Sequence, residues 1–266
     1  MVLAVEIDNS KINFGLFDDV GNMISDFKIA SETNKTSDEY VALVDSILNY
    51  YKIERDLVSA TVVCSVVPVL TEVICDLLKK IFINSKIVMV GKGIKTGFPI
   101  KIDNPSELGA DLVANASAIM EIKNKENIRN RAAIIVDIGT VSTVFALNSK
   151  NEFVGGCIMP GVDMSFTALH GKTAQLPNVS LVLPVKIIGK NSQDSIRSGV
   201  IVGTALMIEG FVERFSKEMS AEGNVDVFVT GEYAEVILPF CSCKYRHIPN
   251  LTFFGMYCIY KNNICD

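Results

Sequence analysis

The sequence predicts an α/β protein of two domains of common design, each built on a mixed β-sheet flanked by helices. Three observations carry that prediction. The stretch VEIDNSKINFGLF, starting at Val5, returns in altered form as VDIGTVSTVFAL starting at Val136. Aligned without gaps, Glu6 pairs with Asp137, Ile7 with Ile138, Asp8 with Gly139, Asn9 with Thr140, Phe14 with Phe145 and Leu16 with Leu147. The offset is close to half the chain, far longer than the roughly 20 to 50 residues of a solenoid repeat. In each half, tandem strand-like runs precede alternating helical and strand-like segments, the pattern of sheets covered by helices. With 266 residues, 49% hydrophobic and 21% charged, the chain has apolar material for one large or two medium cores.

Short β-branched runs bounded by turn residues place strands over residues 2–7, 12–17, 60–64, 86–90, 132–137, 142–147, 153–158 and 225–229. Helical spacing follows the start Thr36-Ser37-Asp38-Glu39 over 37–51 and recurs over 70–82, 107–123 and 192–219. The last of these is long enough to expect a break near Gly199 or Gly203. The repeat divides the chain into domains 1–115 and 116–266, and KNKENIRNR (123–131), the most polar stretch between them, reads as a surface loop after a connecting helix.

Charge excludes one function class. Lys+Arg 25 against Asp+Glu 30 gives a formal net charge of -5, which lacks the basic footprint of a nucleic acid binder. The seven cysteines (Cys64, Cys75, Cys157, Cys241, Cys243, Cys258 and Cys265) are an odd, scattered set, expected as reduced structural thiols. Cys241 and Cys243 are too close in sequence for the usual zinc pair, and His170 and His247 have no partner at ligand spacing. An acid at Glu6 comes too early for a secretory signal, and no uninterrupted apolar run reaches about 18 residues. The expectation is a cytoplasmic protein without a membrane partner.

A strand that ends in a carboxylate and turns through small polar residues can present backbone N–H donors to phosphate oxygens, while the acid holds magnesium through water. Asn9, Ser10 and Lys11 suit the first such turn, and Thr140, Ser142 and Thr143 the second. Either turn alone fits a plain hairpin as well; their pairing favours phosphate binding. Asp111 lies in a helical stretch of otherwise apolar and small residues. Asp is almost never fully buried without a partner, so it is either a solvated helix residue or a working carboxylate in a cleft. The glycines of 155–177 read as loop and cap chemistry or as a substrate wall, Asn191 or Ser192 as a helix cap, and Thr230-Gly231 as a turn against which a nucleoside can pack.

In order along the chain, EIDNS (Glu6 to Ser10), GADL (Gly109 to Leu112), DIGT (Asp137 to Thr140), GGCIMPG (Gly155 to Gly161), IGKNS (Ile188 to Ser192), TGE (Thr230 to Glu232) and LTFFGM (Leu251 to Met256) resemble the motifs DxGNT, GxDR, DxGT, GGxIxPG, IGxNT, TGG and LTLxGL of the type III pantothenate kinases. That family belongs to the acetate and sugar kinase, Hsc70 and actin superfamily, and the resemblance covers nearly the whole chain. It implies two actin-like (ribonuclease H-like) domains with a cleft between them, transfer of the ATP γ-phosphate to the pantothenate hydroxyl at the start of coenzyme A synthesis, and a homodimer. Carried over by position, Glu6, Asp8, Asn9, Ser10, Lys11 and Thr140 contact ATP, with Glu6 holding magnesium through water. Asp137 holds potassium or ammonium, and Asp111 is the general base. Ile102, Gly109, Ala110, Asp111, Leu112 and Ser192 fall at pantothenate-contacting positions.

Among the chain's departures from the family pattern, five bear on the chemistry. Glu6 replaces Asp, Asp8 replaces Gly, Leu112 replaces Arg, Ile102 stands where Tyr is common, and Glu232 replaces the second Gly of TGG. Leu112 removes a donor fork suited to a carboxylate. Two alternatives therefore stay beside the kinase reading: a catalytically impaired ligand-binding or regulatory paralogue, and a kinase of another small hydroxyl substrate.

Overall fold

The apolar runs of the first third condense into β1 (Val2–Ile7), β2 (Lys11–Phe17), β3 (Met23–Ala30), α1 (Ser37–Tyr50), β4 (Ala60–Ser65), α2 (Pro68–Ile81) and β5 (Lys86–Met89). Then follow α3 (Ala110–Lys125), β6 (Ala132–Ile138), β7 (Val141–Leu147), β8 (Phe153–Pro160), α4 (Val162–Gly171), α5 (Ser192–Glu218), β9 (Val225–Thr230), α6 (Ala234–Ile237), β10 (Arg246–His247) and α7 (Leu251–Ile264). The computed structural model describes residues 1–91, 93–128, 130–220 and 224–264. Arg129 of the expected polar loop and Cys265 lie outside the described residues.

Two five-stranded sheets result, ordered β3-β2-β1-β4-β5 and β10-β9-β6-β7-β8. In each, the first three strands of the half are antiparallel neighbours and the last two add in parallel. The duplication read from two short segments thus extends to the whole topology of each half.

The compact units do not follow a single cut after residue 115. One contains Met1–Gly97, Asn104–Ile122 and Leu251–Asp266, the other Phe98–Asp103 and Lys123–Asn250. In the first, strand alternation sends Leu3, Val5, Ile7, Phe14 and Val63 to one face of the sheet, packed with Tyr40, Val44 and Leu48 of α1 and Leu70 and Ile74 of α2. On the other face α7 packs on β1 and β4. Phe253 lies against Gly15, at 3.1 Å from the position a Cβ would take there, and Tyr257 stacks on Phe17 with ring centroids 5.0 Å apart. Gly255 sits so close to the backbone of Ala114 in α3 that a Cβ would overlap it, and Thr252 Oγ1 donates to Asn115 Oδ1 at 3.1 Å. These contacts draw the chain's last helix into the first unit.

In the second unit Ile134, Val136, Ile138 and Val229 pack with Ile196, Val200, Ile201, Ala205, Ile208 and Val212 of α5. The expected break at Gly199 or Gly203 is absent: α5 is one continuous helix of 27 residues. Each interior glycine costs about 1 kcal/mol of helix propensity, and burial of this apolar face outweighs it. Among the described residues α5 is the helix long and apolar enough to span a membrane, and one face of it packs in the core of the second unit.

Three further expectations change. β3 and β10 were not predicted, and α3 begins at Ala110, after a 3-10 turn over Pro105–Glu107, rather than at 107. Lys123, expected in a surface loop, is 1% exposed; its ammonium donates to Arg131 O at 2.6 Å and to Asn151 Oδ1. The remaining expected strands and helices form, with ends shifted by one or two residues.

Candidate active site

The first phosphate-type turn is built by β1 and β2. Their register pairs Glu6 with Asn13, and Asn13 Nδ2 donates to Glu6 Oε2 at 3.1 Å. On the other side β4 places Cys64 beside Glu6. The Asp8 N–H donates to Lys11 O at 2.9 Å, closing the turn, and the Asn9 N–H donates to Asp8 Oδ1 at 2.7 Å. One backbone donor of this turn is therefore already engaged by the carboxylate that replaces the family's glycine. Ser31, just after β3, fixes the turn from outside: its Oγ donates to Asp8 O at 2.6 Å and its N–H to Ser10 O at 3.1 Å. Asn9 and Ser10 are exposed, as a ligand-facing turn requires.

Asp111 occupies the first turn of α3, partly buried, with Gly109, Ala110 and Leu112 around it. Gly109 leaves room for it; a Cβ there would overlap Asp111 Oδ1. Burial raises the pKa of Asp111 above the ordinary carboxylate value, and the negative charge of Asp8 adds to that, against the backbone N–H groups of Leu112 and of Asp111 itself, which lower it. The helix N-terminus also favours the charged form, but desolvation wins. The Cys64 thiol, fully buried, is pushed well up, first by burial and then by the charges of Glu6, Asp111 and Asp8. The first unit thus gathers Glu6, Asp8 and Asp111 around one buried thiol. Sequence reading named the three acids but gave no role to Cys64 or Ser31; only strand register and the unpredicted β3 bring these two to the site.

In the second unit, β6 carries Asp137 between Thr143 of β7 and Thr230 of β9. Thr143 Oγ1 and Ser142 Oγ are buried and without hydrogen-bond partners among the described residues. The Gly139-Thr140 turn is covered by the start of α4, where a Cβ on Gly161 would overlap both carbonyls of that turn. Gly231, at φ +103, folds the chain after β9 onto the end of β6, and a Cβ there would lie 2.6 Å from Asp137 Oδ1. Tyr233 N–H donates to Ile138 O at 2.9 Å. Ile102 sits beside Gly155, its Cγ2 3.8 Å from where a Cβ would be, in the segment that pairs with Phe153 through the Lys101 N–H to Phe153 O bond of 2.8 Å. Ser192 is exposed at the start of α5; the cap is Asn191, whose Oδ1 accepts from Asp194 N–H at 2.9 Å. Gly109, Ala110, Asp111 and Leu112 belong with the first turn in one unit, Ile102, Asp137, Thr140 and Ser192 in the other.

A family model described as type III pantothenate kinase matches residues 2–214. The chain belongs to the type III pantothenate kinase family. A type III pantothenate kinase of Moorella thermoacetica is 35% identical over 264 residues, covering 99% of this chain and 100% of the relative. Another from Thermobifida fusca is 31% identical with the same coverage. Among solved structures, component A of (R)-2-hydroxyglutaryl-CoA dehydratase from Acidaminococcus fermentans is similar with a TM-score of 0.52 over 98% of each chain, at 13% identity, a likeness of fold alone. The family model spans β1 to β8 and both carboxylate turns, and the match to the Moorella thermoacetica relative extends over both sheets.

Proposed function

We propose that this chain transfers the γ-phosphoryl group of ATP to the hydroxyl of pantothenate, giving ADP and 4'-phosphopantothenate, the first step of coenzyme A synthesis. The observation that carries this is Asp111: a partly buried carboxylate at the head of α3, in the unit that also holds the acid-ended Glu6 to Lys11 turn. In its ionised form Asp111 accepts the proton of the attacking hydroxyl, so the oxygen gains nucleophilicity as its bond to phosphorus forms. Phosphoryl transfer asks mainly for in-line placement and charge neutralisation, which one base and two polar turns can serve. Asn9, Ser10, Lys11 and Thr140 take the phosphates in this reading, and Gly109, Ala110, Leu112, Ile102 and Ser192 adjoin pantothenate.

No group of three or more His, Cys, Asp or Glu among the described residues could cage a metal. Glu6, with Asp8 beside it, would hold the water shell of a nucleotide-borne magnesium ion, a cation that keeps most of its waters. Magnesium supplies neutralisation of charge on the transferring phosphoryl group. For potassium or ammonium the donors fit: Asp137 is flanked by two threonines, and the orphaned Thr143 hydroxyl is an oxygen ligand in waiting. We further place the protein in the cytoplasm as a homodimer; the described cysteines are all free thiols, in keeping with a reducing compartment.

The test is ADP release by purified protein with ATP, magnesium and potassium or ammonium. Turnover dependent on pantothenate supports the reading, and turnover with another hydroxyl compound in its place overturns it. Leu112 replaces the family's Arg at a pantothenate-contacting position. Leu112→Arg is therefore expected to lower KM for pantothenate by about tenfold, the effect of one charge-assisted hydrogen bond, with KM for ATP unmoved.

A further inference from the structure

At the end of β6 three segments of the second unit converge: the Gly139-Thr140 turn, the Pro160-Gly161 entry into α4, and the Thr230-Gly231 turn after β9. Gly161 and Gly231 permit the approach, since a Cβ on either would overlap the backbone of residues 138–140. Glycines allow closeness but do not enforce it. Enforcement comes from Tyr233. Its ring is 9% exposed within the core that contains Ile138, Val162 and Phe166, its N–H donates to Ile138 O, and its hydroxyl donates to Asp163 Oδ2 in the first turn of α4. Burial, then the bond to Asp163, raise the phenol's pKa far above its ordinary value, so the hydroxyl stays a donor at every working pH.

We propose that Tyr233 and Asp163 form a latch that clamps α4 and the Thr230-Gly231 turn over the Gly139-Thr140 turn, making both residues positioning residues for the nucleotide. This rests on the reading of that turn as an ATP contact. The latch acts by fixing Gly161 against the two carbonyls of the turn, which in turn sets where Thr140 and its backbone point.

The test combines calorimetric dissociation constants for Mg·ATP and for pantothenate with amide hydrogen exchange over residues 138–141, on the full chain. Tyr233→Phe and Asp163→Ala are each expected to weaken Mg·ATP binding about tenfold, the effect of losing one hydrogen bond to a charged group, and to speed exchange in the turn, with pantothenate binding unmoved. The double variant is expected to be no worse than either single one, because both remove the same bond. Asp163→Asn, whose amide oxygen still accepts from the phenol, is expected to restore most of the affinity. Additive losses, equal loss for both ligands, or unchanged exchange in Tyr233→Phe overturn the latch. Thr140→Val separates the two claims: if it leaves Mg·ATP binding unchanged, the nucleotide reading of the turn fails; if it weakens binding while Tyr233→Phe does not, the latch alone fails.

Discussion

Asp111 is held where a carboxylate is least comfortable. Its raised pKa means that the folded chain favours the neutral form more than the unfolded chain does, so its contribution to stability is present at low pH and is lost as pH rises through the folded value. Two outcomes follow. Asp111→Asn is expected to reduce turnover about a hundredfold to ten-thousandfold, the usual range for a general base, and yet to raise the midpoint of thermal unfolding at neutral pH, a gain that fades once acid protonates the wild-type group. Calorimetric scans at two pH values check it. Asp8 offers a second measurement. Because its charge raises the Asp111 pKa, Asp8→Asn, which keeps an acceptor for the Asn9 N–H, is expected to move the acid limb of the kcat/KM profile to lower pH; an unmoved limb takes Asp8 out of the base's environment.

At the scale of elements, α7 acts as the cover that sets the height of α3. Gly255→Ala drives a methyl into the Ala114 backbone, one turn along from Asp111. The expected cost is about 3 kcal/mol, the upper end for overpacking, read by urea denaturation, with kcat falling along with stability. Much of this level was legible in the sequence: β-branched runs and helical spacing located most elements, and the two carboxylate turns located both halves of the candidate site. What escaped has physical causes. β3 buries only Phe27 and Ile29 well, while Ile24, Asp26 and Lys28 face solvent; edge strands carry such charges to discourage further pairing, and the charges dilute the apolar signal. Lys123 looked solvated because its composition is polar, but its ammonium finds a carbonyl and an amide inside. The Tyr233–Asp163 bond joins residues 70 positions apart, a pairing that no local pattern encodes.

For the molecule as a whole, the duplicated topology hides an asymmetry. The second unit is nearly continuous in sequence, whereas the first borrows α7 from the far end of the chain. Deleting residues 251–266 is accordingly expected to strip cover from Gly15, Phe17 and the neighbouring strands, and so to increase binding of an apolar dye and abolish cooperative unfolding of the first unit, while the second keeps its helical core. Cooperative unfolding of both units after the deletion overturns that division. The same arrangement fixes an order in time. The ribosome makes β1 and its acidic turn well before the helix that roofs them. At about 5–20 residues per second, roughly 10 to 40 seconds pass in which the nascent first sheet has one uncovered face, a window in which it depends on whatever else in the cell will shield it.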